Sequence, residues 1–184
     1  MPPRAKKSVA APQKEASPPK IKPTGSAKAR RSAARLAAVQ ALYQIDLAGT
    51  SSEQVIGEFL RHRIGQEQDG QDLVTADLEL FAAIVRGVQL RGADVDQMLT
   101  GSLSGQWSLD RLELLLKEIL RAGVWELIGN PTVAPHIVIN DYIDVTHAFF
   151  SGKEPGMVNG VLDRLARTLR PEEMQPRQAG GSRA

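Results

Sequence analysis

Apolar residues recur along most of this chain at intervals of three, four and seven positions, which places them on one face of an α-helix. The spacing predicts six to seven helices, six of which have the approximate bounds 31–48, 52–64, 73–98, 108–127, 135–150 and 155–169. No stretch shows convincingly the alternation of apolar and polar residues that is typical of a half-buried strand. The pattern therefore predicts an all-α fold, built as a single compact domain.

Two helices of this prediction have distinctive sequences. The fourth is dense in Leu, so we expect it to be central and nearly encircled by the others, with Ser108 as its N-cap. In the third, Gly87 and Gly92 each weaken the helix by about 1 kcal/mol relative to Ala. A kink or an interruption is therefore predicted in the third helix.

The two ends of the chain differ from its middle in composition. Residues 1–29 are rich in Pro, Lys and Ala, with few large apolar side chains, and are predicted to form a disordered basic arm. Residues 170–184 contain further Pro and Gly and are predicted to be a flexible tail. The helical domain is therefore expected to span 30–169.

Charge is distributed unevenly along the chain. The net charge is +2, but residues 1–35 carry ten Lys or Arg and one acid, which leaves −7 for the remainder. A basic arm on an acidic body indicates a polyanionic partner, because Lys and Arg that neutralise phosphates dominate nucleic-acid affinity. A tail that only increases solubility is an equally supported alternative.

The composition argues against catalysis. There is no Cys, which excludes disulfides, a Cys nucleophile and thiolate metal ligands, and fits a reducing cytosol. The three His residues, His62, His136 and His147, lack metal-ligand spacing. We find neither a phosphate-binding glycine loop nor a nucleophile–base pair. We therefore expect a cytoplasmic protein that is not an enzyme and uses no cofactor or metal.

An arginine cluster at the start of the first helix has a position as well as a charge. Arg31 and Arg35 are four residues apart, so both are predicted to lie on one helix face, with Arg30 just ahead of them. Arg binds phosphate with two hydrogen bonds and stacks on exposed bases, which suits single-stranded RNA. Tyr43, on the same helix, fits a base-stacking role and a core role equally well.

The pair Asn159–Gly160 is predicted to lie inside the last helix, although both residues are poor helix formers. The physical explanation that we favour is the close approach of another helix at Gly160, with Asn159 bonding across the junction. Asn140 is expected to be a similar buried hydrogen-bonding residue. These Asn residues are interpreted as architectural.

The chain resembles the NusB family over 30–167, and the matching segments are 31–35, 39–43, 119–127, 139–141 and 158–163. The resemblance implies an all-α fold of two packed helical sub-bundles in a bacterial, cytoplasmic transcription antitermination factor. It implies binding of the boxA element of ribosomal-RNA leader transcripts, jointly with the small-subunit ribosomal protein NusE. It further implies action on the RNA polymerase elongation complex with other Nus factors.

The resemblance also implies particular site residues. The arginine-rich first helix would contact RNA, and Tyr43 gains support as an RNA-binding residue. Family members commonly carry a Lys-Phe pair where this chain has Gly156 and Met157, so Met157 would pack on a base and Lys153 would replace the charge. Asp110, in the acidic body, would suit the basic ribosomal-protein partner.

Two other functions fit the sequence. A similar helical domain occurs fused to ribosomal-RNA cytosine methyltransferases, so the chain could be the RNA-binding subunit of such an enzyme. It could also be a helical protein–protein adaptor whose basic arm is incidental. The sequence leaves open the preferred RNA sequence and whether the free protein forms a homodimer.

Overall fold

The computed structural model describes residues 24–62 and 74–175, and within these ranges it contains α-helices and no strand. The α-helices are α1 (Ala27–Ala48), α2 (Ser52–His62), α3 (Leu78–Ser102), α4 (Leu114–Gly129), α5 (Pro135–His147) and α6 (Glu154–Leu169). Two short 3₁₀ turns precede α4 and follow α6, at Leu109–Arg111 and Pro171–Met174. The all-α prediction is confirmed.

Helix α4 lies at the centre of the fold. It packs against α1, α3, α5 and α6, and its apolar side chains are buried around most of its circumference. Leu116, Ile119, Leu120, Val124 and Leu127 are each at most 2% exposed. A helix that is apolar on nearly every side must be covered on every side, which explains its central position.

The six described helices form two groups, and α4 belongs to the second group and also packs against α1 and α3 of the first. Helices α1, α2 and α3 contact one another, and so do α4, α5 and α6. The rings of Phe59 and Phe81 stack with their centroids 5.5 Å apart, which joins α2 to α3. The fold therefore consists of two packed sub-bundles, as the family resemblance implied.

Three helix starts differ from the prediction by several residues, and the third helix, predicted from 73, begins at Leu78. Helix α1 begins at Ala27 because the side chain of Ser26 accepts a hydrogen bond from the backbone N–H of Ala29 (3.2 Å). The predicted N-cap Ser108 instead precedes a 3₁₀ turn and makes no cap bond; its hydroxyl accepts from Arg111 Nε at 2.9 Å. Helix α4 begins only at Leu114, after that turn.

The predicted irregularity in the third helix is present in α3. Arg91 has non-helical backbone angles (φ −113°, ψ 18°), four residues after Gly87. Gly87 has a packing role, because a Cβ added there would lie 1.9 Å from the indole of Trp125 on α4. The absence of a side chain at Gly87 therefore lets α3 and α4 approach closely.

Ordered structure continues beyond α6 into the segment predicted to be a flexible tail. The guanidinium of Arg170 donates to the carbonyl oxygens of Val133 (2.8 Å) and Pro131 (3.1 Å), which fixes the turn Pro171–Met174 against the start of α5. The rest of that segment, 176–184, lies outside the described residues, as does most of the predicted arm, 1–23.

Candidate nucleic-acid interface

Arg35 points into the protein rather than towards solvent. Its side chain is 1% exposed, and Nε donates to Glu126 Oε2 of α4 at 2.9 Å. Nη2 donates to the other oxygen of Glu126, and Nη1 donates to Asp141 Oδ2 of α5. The prediction that Arg35 shares an exposed cationic patch with Arg31 is therefore wrong, because two buried carboxylates hold the guanidinium inside.

The carboxylates around Arg35 have further, neutral donors. Glu126 also accepts from Tyr142 Oη (3.1 Å) and Asn130 Nδ2 (3.3 Å), while Asp141 accepts from Ser32 Oγ (3.2 Å). Burial raises the pKa of the Tyr142 phenol well above its ordinary value, and the Glu126 charge raises it further. The tyrosine is therefore a permanent hydrogen-bond donor in this cluster.

Arg30 and Arg31 remain at the surface, each partly buried. Arg30 Nε donates to the carbonyl oxygen of Thr75 at 3.3 Å, which ties the start of α1 to the segment before α3. Arg31 lines a cleft of about 620 Å³ whose other residues include Asp77 and Thr132. The exposed cationic patch at this end of α1 is therefore smaller than predicted and is bordered by two acids, Asp77 and Glu79.

Tyr43 lies in a groove of about 500 Å³ that is mainly apolar. Its neighbours there include Leu47, which is 66% exposed, Phe149, which is 41% exposed, and Leu115 at the start of α4. Tyr43 is itself partly buried. It therefore belongs to a partly exposed apolar surface and not to the core.

Lys153 and Met157 lie together in a third groove, of about 220 Å³. It runs between α6 and the segment that connects α3 to the 3₁₀ turn, and Trp107 and Arg164 also line it. The structure thus brings these two predicted residues together. Their groove shares no lining residue with the cleft at Arg31 or with the groove at Tyr43.

Sequence reasoning missed Trp107 and Arg164. The signal available for Trp107 was an aromatic residue in a loop rich in Gly and Ser, outside any apolar stripe. Asp110, predicted as a partner contact, is exposed in the 3₁₀ turn just after Trp107.

The predicted close approach at Gly160 is wrong. A Cβ added to Gly160 would meet no atom within 4 Å, and Asn159 beside it is exposed. Asn140, also predicted to be buried, is exposed as well. Helix α6 places Val158 and Val161 in the core, so the intervening pair faces outward.

A second arginine cluster, partly buried, was not predicted: the side chain of Arg121 is 13% exposed and that of Glu118 is fully buried. Arg121 of α4 donates to Asp96 of α3 (2.7 and 2.8 Å), to Asp46 of α1 (2.9 Å) and to Glu118 (2.7 Å). Burial raises the pKa of Glu118 to about 7; Arg121 opposes this shift and the nearby Asp46 adds to it. The second oxygen of Glu118, Oε2, is buried and accepts no hydrogen bond from any described residue.

The described helices include none that is long and apolar enough to cross a membrane. In the same part of the chain, no group of three or more His, Asp or Glu has an arrangement that could hold a metal ion.

The described residues form an all-helical fold that carries an apolar groove and a groove lined by cations and an aromatic ring. The chain belongs to the NusB family, whose model matches residues 32–167. The transcription antitermination protein NusB of Bartonella henselae is 45% identical over 141 residues, covering 77% of this chain and 89% of that protein. The protein of the same name from Rhizobium rhizogenes is 43% identical over 143 residues, covering 78% and 89%.

Solved structures of the family have the same fold. A crystal structure of antitermination factors NusB and NusE in complex with dsRNA matches with a TM-score of 0.64 and 25% identity, covering 78% of this chain and 99% of that chain. A solution structure of NusB from Aquifex aeolicus matches with a TM-score of 0.60 and 27% identity, covering 83% and 99%. The predicted family membership is confirmed.

Proposed function

We propose that this chain is a non-catalytic transcription antitermination factor. It binds the boxA element of ribosomal-RNA leader transcripts together with NusE, and the complex acts with other Nus factors on the RNA polymerase elongation complex. The observation that carries the proposal is the match to the NusB family across 32–167, with relatives named as antitermination proteins. A structural neighbour that contains NusB, NusE and RNA supports both partners.

The proposed RNA contacts lie at two places. At the start of α1, Arg30 and Arg31 are at the surface and continue the basic arm. In the groove on α6, Lys153 is exposed beside the partly buried Met157. Both places offer cations for phosphates, and sequence-independent phosphate contacts supply much of the affinity for RNA. Arg35 is no longer a candidate, since its guanidinium is buried between carboxylates.

The groove around Tyr43 suits the protein partner better than the RNA. It combines Tyr43, Leu47 and Phe149 in one exposed apolar surface, and such surfaces on soluble proteins mark protein-interaction sites. Asp110 is exposed in the 3₁₀ turn before α4, where its carboxylate is available to a basic partner. We therefore assign Tyr43 and Asp110 to the NusE side of the complex.

A binding titration tests this function. Fluorescent boxA-type RNA and a scrambled RNA are titrated with and without NusE, using wild type, Arg31→Gln and the matched control Arg86→Gln on the exposed face of α3. We expect sequence-selective binding that NusE strengthens. Arg31→Gln should weaken binding to both RNAs and reduce the salt slope by about 1, because one phosphate contact is lost. Arg86→Gln should behave as wild type.

The same titration tests the partner surface with a second pair of variants. Leu47→Glu places a charge in the apolar groove, whereas Leu90→Glu changes a Leu that is 86% exposed on α3. Only Leu47→Glu should remove the strengthening by NusE while leaving binding to RNA alone unchanged. Equal binding of both RNAs, with no effect of NusE, would contradict antitermination and leave a helical adaptor.

A further inference from the structure

The groove on α6 contains an aromatic residue that the proposed function does not yet use. Trp107 lines it together with Met157, Lys153 and Arg164, and the indole is only partly buried. The other tryptophan of the chain, Trp125, packs against Gly87 between α3 and α4. Trp107 thus differs from Trp125 in lining an open groove.

The groove is held in place by the end of α3. Arg164 Nη1 donates to the carbonyl oxygen of Ser102 at 2.7 Å, which fixes the guanidinium of α6 beside the last turn of α3. The chain then reverses through Gly105, whose φ of +70° favours glycine, and Trp107 N–H approaches the Ser104 carbonyl at 3.4 Å. Trp107 lines the groove opposite Met157 and Arg164 of α6, and part of its side chain packs against the hydrophobic core.

The chemistry of the lining selects the ligand. The described residues that line the groove include two cations, Lys153 and Arg164, and no acid. Gly160 has no side chain and its Cβ position is open, so it leaves room along α6. An aromatic face with cations at its edge is the arrangement by which proteins stack bases of single strands and neutralise the flanking phosphates. About 220 Å³ is below the usual range for drug-sized ligands, so the groove suits one planar ring.

We propose that this groove takes one unpaired nucleobase of the bound RNA, stacked on the indole of Trp107, with Lys153 and Arg164 contacting the adjacent phosphates. The inference rests on the proposed RNA binding and adds two residues to it. Trp107 supplies the stacking surface that Met157, at the position of the family's Phe, provides less well.

The experiment compares Trp107→Leu with Trp107→Phe on boxA-type RNA in which each nucleotide in turn is made abasic. Stacking of one base on an aromatic side chain is worth about 5- to 150-fold in affinity. Trp107→Leu should lower the affinity for RNA by a factor in this range, and Trp107→Phe should retain most of the affinity. The loss should disappear for the RNA that lacks the one stacked base. Thermal unfolding checks that both variants remain folded.

Cation contacts are tested on the same helix. Arg164→Gln should weaken binding and lower the salt slope, whereas Arg167→Gln, which changes an exposed Arg paired with Asp163, should not. A folded Trp107→Leu variant that binds every RNA as wild type does would overturn this inference alone. If Trp107→Leu does not fold, tryptophan fluorescence provides the test: RNA should quench it in wild type but not in Trp107→Phe. Absence of quenching in wild type would overturn the inference. Failure of wild type to bind any RNA would overturn the proposed function as well.

Discussion

Two arginine clusters, one buried around Arg35 and one partly buried around Arg121, join helices through carboxylates but differ in their supply of hydrogen-bond donors. Arg35 joins α1 to α4 and α5 through two carboxylates, whereas Arg121 joins α4 to α1 and α3 and contacts three. Around Arg35, both oxygens of Glu126 accept hydrogen bonds. Around Arg121, one oxygen of Glu118 accepts none from the residues described. Each cluster carries more carboxylates than arginines, but only the first has enough donors.

The difference shows two ways in which a protein accommodates a cluster that has more carboxylates than arginines. Near Arg35, the neutral donors Tyr142, Asn130 and Ser32 provide further hydrogen bonds to Glu126 and Asp141. Near Arg121 such donors are lacking for Glu118, and its pKa, raised to about 7 by burial, means that this carboxyl group is about half protonated at neutral pH. The first cluster should therefore respond mainly to loss of a partner, and the second should respond to pH.

The largest expected effect comes from removing the guanidinium of the first cluster. Arg35→Ala leaves Glu126 and Asp141 buried without their cation, which should lower the free energy of unfolding by about 3–5 kcal/mol. Urea denaturation at pH 7 measures the change. Arg31→Ala, one turn earlier at the surface, is the control and should change stability little.

A small stability loss for Arg35→Ala, combined with a large loss of RNA affinity in the folded variant, would contradict the buried assignment. It would return Arg35 to the exposed patch that helical spacing alone predicts.

A smaller effect is expected from pH at the second cluster. The unfolded chain holds the Glu118 proton with a pKa near the ordinary 4.5, whereas the folded protein holds it to about 7. The contribution of this proton to stability is therefore complete below pH 4.5 and is lost as pH rises through 7. The loss should amount to at most about 3 kcal/mol between pH 4.5 and pH 8.

Glu118→Gln isolates this contribution, because the amide cannot titrate and the other carboxylates stay in place. The difference in unfolding free energy between wild type and Glu118→Gln, measured by urea denaturation at several pH values, should change in favour of the variant as pH rises. A difference that is constant from pH 4.5 to pH 8 would mean that Glu118 keeps its ordinary pKa.

The comparison also shows where sequence reasoning succeeds and where it stops. Helical spacing correctly predicted that α4 is central, because apolar residues around most of its circumference are a property of the helix itself. It could not distinguish Arg31 from Arg35, since the distinction depends on Glu126 and Asp141, which lie 91 and 106 positions after Arg35. Spacing gives the face on which a residue lies but not what covers that face.

Glycines illustrate the same limit. Gly87 and Gly160 both occupy helix interiors, and only the second was predicted to allow a close approach. In the structure, Trp125 lies against Gly87, while the space at Gly160 is open. The residues around the two glycines are similar, so a neighbour that is distant in sequence determines whether the glycine allows a close approach. The site residues Trp107 and Arg164 likewise became visible only when α3 and α6 were placed side by side.

The smallest effect on stability is expected when one neutral hydrogen-bond donor is removed from the cluster around Arg35. Tyr142→Phe deletes the hydrogen bond to Glu126 Oε2, but that oxygen still accepts from Arg35 Nε, so the free energy of unfolding should fall by only about 1 kcal/mol. In a Glu126→Gln background the same change should be smaller, because the acceptor is neutral. Urea denaturation of both single variants and the double variant measures this coupling. A Tyr142→Phe effect as large as that of Arg35→Ala would show that packing of the ring, and not the supply of hydrogen-bond donors, determines the stability of this cluster.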